Sequence, residues 1–135
     1  MVRPRFRTLT HRADVRVAVW GEDEYDLIGN AVAAAIAAAL GTRRQSEGRR
    51  RIPIVPWPPD LASRLVRAVN EALFTLYARR EAACGVVRTP RGAALLVGPI
   101  PPGSAPELEI KAATYHDLRP RRRGGRLAAL ITLDV

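Results

Sequence analysis

The chain is poor in the residues that carry many familiar chemistries. One cysteine, Cys84, rules out an internal disulfide and a cysteine-built metal cluster. Its apolar neighbours Ala82, Ala83, Val86 and Val87 favour a structural thiol over a nucleophile, and a lone thiol fits a reducing cytoplasm. Two histidines, His11 and His116, are too few for an all-histidine metal site. Aromatic residues make up only 5%, so the core must be assembled from Ala, Val, Leu and Ile. No apolar run reaches the length needed to cross a bilayer, and no hydrophobic segment follows the basic start Met1-Val2-Arg3-Pro4-Arg5. A cytoplasmic protein without membrane attachment is the expectation. Phosphate-binding GxxxxGK[ST] loops, dinucleotide fingerprints and HExxH pairs are also missing. Ser63 and Ser104 lack both a neighbouring histidine and nucleophile-elbow glycines.

Lysine is the scarcest basic residue: Lys111 stands alone among 22 Lys and Arg. Where a compact ammonium must approach a carboxylate, phosphate or metal shell, arginine is a poor substitute. Lys111 also lies five residues before His116, in Glu109-Ile110-Lys111-Ala112-Ala113-Thr114-Tyr115-His116. It is therefore a candidate functional residue.

At 135 residues, 47% of them hydrophobic, the chain has the size of one domain with a proper core, residues 1–135. The net charge of +9 favours polyanionic partners. Yet the arginines are scattered over 3–7, 43–51, 119–126 and the face carrying Arg64, Arg67, Arg79 and Arg80. Apart from Phe6, no aromatics interleave with these clusters to stack bases, which weakens a composition-based case for RNA.

The pattern alternates strands and helices. Val15, Val17 and Val19 mark a half-buried strand over 14–20, closed by Gly21-Glu22. Asp23, with Asp26 three residues on, caps a helix whose apolar stripe is Ile28, Val32, Ile36 and Leu40; Gly41 ends it. A polar, basic loop runs over 42–51. Ile52–Val55 reads as an edge strand because Pro53 within it and Pro56 after it limit its ladder. Pro58-Pro59-Asp60 starts a second amphipathic helix with Leu61, Leu65, Val69, Leu73, Leu76 and Tyr77 on its core face. A hairpin over 84–89 and 93–98 turns through Pro90-Arg91-Gly92. Strands are expected over 108–115 and 127–135, with Gly124-Gly125 in the turn between them. The fold class is α+β: a largely antiparallel or mixed sheet with two amphipathic helices packed on it.

Polar residues gather at the predicted strand ends. His11 and Asp14 flank the mouth of the first main strand, and Asp134 closes the last, followed by the Val135 terminal carboxylate. If these strands are neighbours, the carboxylates converge and need a compensating cation. Oxygen ligands select hard ions such as Mg²⁺, Ca²⁺ or Mn²⁺. The alternative is an Asp14 bonded to turn amides and a solvated Asp134. Glu71, in the second helix, is equally well explained by a surface ion pair with Arg67.

Four segments, in order along nearly the whole chain, resemble the archease family. His11-Arg12-Ala13-Asp14-Val15 is similar to its HTADV opening, and Asn70-Glu71-Ala72-Leu73-Phe74 to its NELLF piece. Lys111-Ala112-Ala113-Thr114-Tyr115-His116 is similar to its KAVTYH segment, and Ile131-Thr132-Leu133-Asp134-Val135 to its closing strand. The resemblance implies an accessory protein of an RtcB-type RNA ligase, not an enzyme. It implies promotion of GTP-dependent guanylylation and multiple turnover of the ligase during tRNA splicing or RNA repair, with GTP and RNA engaged through the ligase. It further implies a divalent cation on Asp14 and Asp134, and activation-related roles for Lys111, His11, Glu71 and His116. Two departures stand out: Arg12 replaces the threonine of HTADV, and the chain is basic where an acidic surface is expected. The competing readings are a small basic RNA-binding module and a stand-alone phosphoryl-transfer or hydrolytic enzyme.

Overall fold

A computed structural model describes residues 5–10, 14–115 and 119–135, without the side chains of Leu9 and Thr10. Among the described residues two helices and eight strands follow in the order β1 (Phe6–Thr10), β2 (Asp14–Gly21), α1 (Glu24–Leu40), β3 (Arg50–Pro53), α2 (Leu61–Arg79), β4 (Glu81–Thr89), β5 (Gly92–Pro99), β6 (Ala112–Thr114), β7 (Arg121–Arg123) and β8 (Arg126–Asp134). The strands divide between two antiparallel sheets. One has the order β1-β2-β8-β6, with β7 also pairing β8; the other has the order β3-β5-β4. The class is α+β, as expected.

Local chemistry explains where the helices begin and end. The Asp23 side chain accepts from the Asp26 N–H at 2.9 Å, and the Asp26 carboxylate accepts from the Glu22 N–H at 2.8 Å. The reciprocal bond thus falls one residue upstream of a standard capping box. Gly41 closes α1 in the left-handed region at φ 67°, its N–H reaching the Ala37 carbonyl. Asp60 caps α2 through the Ser63 N–H at 3.0 Å. The close turn from β2 into α1 requires Gly21, since a Cβ there would lie 2.5 Å from the Leu27 nitrogen.

α1 departs from the amphipathic expectation. Leu27, Ile28, Ala31, Val32, Ala34, Ala35, Ala39 and Leu40 are all buried, so it is covered on several sides. It packs against β2, β1 and β8 of one sheet, β4 of the other, and α2. The alanines make this feasible, because their small side chains let backbones approach on every side. α2 behaves as predicted: Leu65, Val69, Leu73 and Leu76 are buried, while Phe74, Ala78 and Arg79 are exposed.

Three further expectations change. β1 was not anticipated; it pairs with β2 from Phe6↔Val19 to Thr10↔Val15. The turn at Gly124-Gly125, with φ of 56° and 79°, closes a hairpin whose first arm, β7, is itself a strand. The strand expected over 108–115 shrinks to Ala112–Thr114. The reason is that preceding backbone groups bond to helices instead. Glu107 and Leu108 N–H groups reach the Ala39 carbonyl at 2.8 and 3.2 Å, and the Ile110 N–H reaches the Tyr77 hydroxyl at 2.9 Å.

Among the described residues no helix is long and apolar enough to cross a membrane.

Candidate functional site

The first and last predicted strands are neighbours. β2 and β8 run antiparallel with Asp14 directly opposite Asp134, and Val15, Val17 and Val19 face the core together with Leu133, Ile131 and Ala129. Directly opposed residues share a face, with Cβ atoms about 4.5–5.5 Å apart. Alternation therefore sends both aspartates to the face opposite the core. Like charges so placed oppose pairing unless a positive group lies near them.

Lys111 joins the same corner through its backbone. Its N–H donates to the Asp134 carbonyl at 2.8 Å, and the next residue, Ala112, pairs with Asp134 in β6. The Lys111 side chain is exposed. Two polar residues of α2 hold this segment. The Asn70 Oδ1 accepts from the Ala113 N–H at 2.7 Å, while the Tyr77 hydroxyl donates to the Leu108 carbonyl at 2.7 Å and accepts from Ile110. Asn70 and Tyr77 are seven residues apart, about two helical turns, and so present one face of α2 to the 108–113 segment. Their positioning role was missed in the sequence. The available signal was an asparagine in an otherwise apolar helical stretch.

Arg16 was also missed. Its register opposite Thr132 places it on the aspartates' face, two residues from Asp14 and diagonal to Asp134. The i, i+2 spacing of Asp14 and Arg16 on a strand was the readable signal.

Glu71 pairs with Arg67 at 3.2 Å, the ion pair expected from their i, i+4 spacing. It adjoins Asn70, so it belongs to the helix that carries the Lys111 clamp. Val135 continues past β8 and is exposed. His11, Arg12 and His116 lie outside the described residues. Among the described residues no group of three or more His, Cys, Asp or Glu gathers as a metal cluster. Asp14 and Asp134 are the two side-chain carboxylates that the register brings together. They suit a hard cation in chemical type and leave most of its coordination to water or to another molecule.

Cys84 is half-buried, and its thiol donates to the Leu96 carbonyl at 3.5 Å. Burial pushes its pKa up, which disfavours the nucleophilic thiolate.

The two antiparallel sheets of this α+β domain set it apart from the parallel-sheet α/β folds that bind nucleotides at strand ends. The Archease protein family (MTH1598/TM1083) matches residues 6–135, and the chain belongs to it. Among solved structures it is similar to an archease from Thermotoga maritima, described as a possible chaperone, at 20% identity and a TM-score of 0.68, with 96% of each chain covered. It is also similar to Methanobacterium thermoautotrophicum protein 1598 at 23% identity and a TM-score of 0.68, covering 96% of this chain and 98% of that one. These likenesses establish a shared fold. No curated protein matches the chain.

Proposed function

We propose that this protein is a divalent-cation-binding accessory factor of an RtcB-type RNA ligase, without catalytic turnover of its own. In this reading it promotes GTP-dependent guanylylation of the ligase, and so multiple turnover, in tRNA splicing or RNA repair. Family membership supports the link to RNA ligation. The observation that carries the chemical part is the direct opposition of Asp14 and Asp134, with Lys111 bonded to the latter's backbone.

Asp14 and Asp134 would hold a Mg²⁺, Ca²⁺ or Mn²⁺ ion. When bound, such an ion supplies charge neutralisation to phosphate oxygens. Lys111 presents an exposed ammonium at the same corner and can approach a phosphate or carboxylate of the ligase. Asn70 and Tyr77 fix the segment that bears it, reducing the freedom lost when a partner docks. Exposed aromatics flank these elements. Phe74 is 57% exposed three residues beyond Glu71, and Tyr115 is 58% exposed four residues beyond Lys111. Large exposed rings on the elements that carry the charged groups suit a protein partner.

The decisive experiment is a multiple-turnover ligation assay with purified ligase, paired with calorimetric titration of Mg²⁺, Ca²⁺ and Mn²⁺ into the accessory protein alone. Asp14→Ala and Asp134→Asn are expected to retain the fold, lose cation binding and reduce ligation to the level of ligase alone. Undiminished stimulation by both variants would end the proposal.

A further inference from the structure

The outer face of the five-stranded sheet carries a second feature, separate from the aspartates. The register aligns Trp20 of β2, Ala128 of β8 and Arg121 of β7 in one row across three strands. Ala18 and Leu130 form the adjacent row. Two alanines between larger side chains leave a depression of about 490 Å³, lined also by Arg119 and Arg123. Arg7, opposite Ala18, extends the basic character across β1. The aspartates lie six residues along the same strands, roughly 20 Å away. This face therefore has an acidic end and a basic end.

In sequence no aromatic accompanies the arginines of 119–126; the fold supplies one by carrying Trp20 to Arg119–Arg123. Other arginines are already engaged, as Arg5 is with Glu22, Arg49 with Glu47, Arg50 with Glu81 and Arg67 with Glu71. Among the described residues, Arg119, Arg121 and Arg123 form no ion pair, and all three are exposed. Trp57 stacks on Tyr25 at 6.2 Å beneath Arg64. Trp20 has no such ring contact among the described residues and lies outside the hydrophobic core. Its backbone is nonetheless fixed, the carbonyl accepting from Asn30 Nδ2 at 2.7 Å.

We propose that the depression formed by Trp20, Arg119, Arg121 and Arg123 binds single-stranded nucleic acid, with a base against the indole and phosphates on the guanidiniums. Exposed guanidiniums supply the attraction to phosphate, and an indole beside a shallow slot supplies a stacking platform. An acidic protein surface would use the same arginines but has no use for the slot. The inference is independent of ligase activation and of any cation at Asp14 and Asp134.

The test is titration of the full chain, without ligase and with a chelator present, using a fluorescent oligouridylate of about ten nucleotides at several salt concentrations. Polyglutamate is titrated in parallel. The unchanged protein is expected to bind the oligonucleotide and to bind polyglutamate much more weakly. Arg121→Ala/Arg123→Ala removes two phosphate contacts and should reduce the log–log salt slope by about 1.4, at about 0.7 per contact. Trp20→Ala should weaken binding about 5- to 150-fold, with much of the loss restored in Trp20→Phe. The charge-matched pair Arg49→Ala/Arg51→Ala, at the start of β3 in the other sheet, should leave binding almost unchanged. The proposal fails if no binding occurs, if both arginine pairs lose affinity equally, or if polyglutamate binds as tightly as the oligonucleotide.

Discussion

The two helices are built on opposite principles. α1 is covered on several sides and is rich in buried alanine. α2 buries a single stripe and keeps polar side chains free to act, with Asn70 and Tyr77 fastening the Lys111 segment and Glu71 paired with Arg67. Their difference separates two tasks. A helix enclosed by two sheets contributes mainly packing, with Asn30 and the Ala39 carbonyl anchoring neighbouring backbone, whereas a half-exposed helix can also position residues that meet another molecule.

The comparison can be tested first where the packing is tightest. Ala34→Leu adds three carbons to a fully buried position between packed elements. It should destabilise the protein by about 1–3 kcal/mol. Ala78→Leu, on the exposed side of α2, should stay within about 0.5 kcal/mol. Urea denaturation midpoints at constant m-value provide the measurement, and equal shifts would erase the contrast between the helices.

A smaller and more local effect is expected at Asn70. Replacing it with alanine removes the acceptor of the Ala113 N–H, costing about 1 kcal/mol. Hydrogen exchange should accelerate at Lys111 and Ala113 while amides of the β4–β5 hairpin keep their protection. Uniform acceleration across both sheets would show Asn70 to be a general packing residue instead.

The smallest effect concerns the start of α2. The Asp60 carboxylate accepts the Ser63 N–H, which holds its pKa below the ordinary value of 3.8. A depressed folded-state pKa means that the ionised form is favoured by folding. The stabilisation is present above the unfolded value and is lost as pH falls through the folded one. Asp60→Asn should therefore flatten part of the acid limb of the stability–pH curve. A limb identical to that of the parent protein would remove the carboxylate from the account.

Much of this molecule was legible residue by residue. The caps at Asp23 and Asp60, the stop at Gly41, the β4–β5 hairpin and the Arg67–Glu71 pair all depend on groups within a few residues of one another. The four archease-like segments were likewise visible, since a motif is a linear pattern. Less could be read where a backbone had distant alternatives. Leu108–Ile110 had the look of a strand, but Tyr77 and Ala39 capture its hydrogen-bonding groups, and neither lies nearby in sequence.

The amino-acid order alone determined local helix ends, turns and the identity of the candidate side chains, because short-range hydrogen bonds and apolar periodicity act within a few residues. Only the tertiary structure decided which of those side chains meet. Strand order and register set Asp14 against Asp134 and brought Trp20 beside the late arginines. A register shift of one residue would send either set to the opposite face of the sheet, so what fixes it is burial of the valine and leucine face against α1.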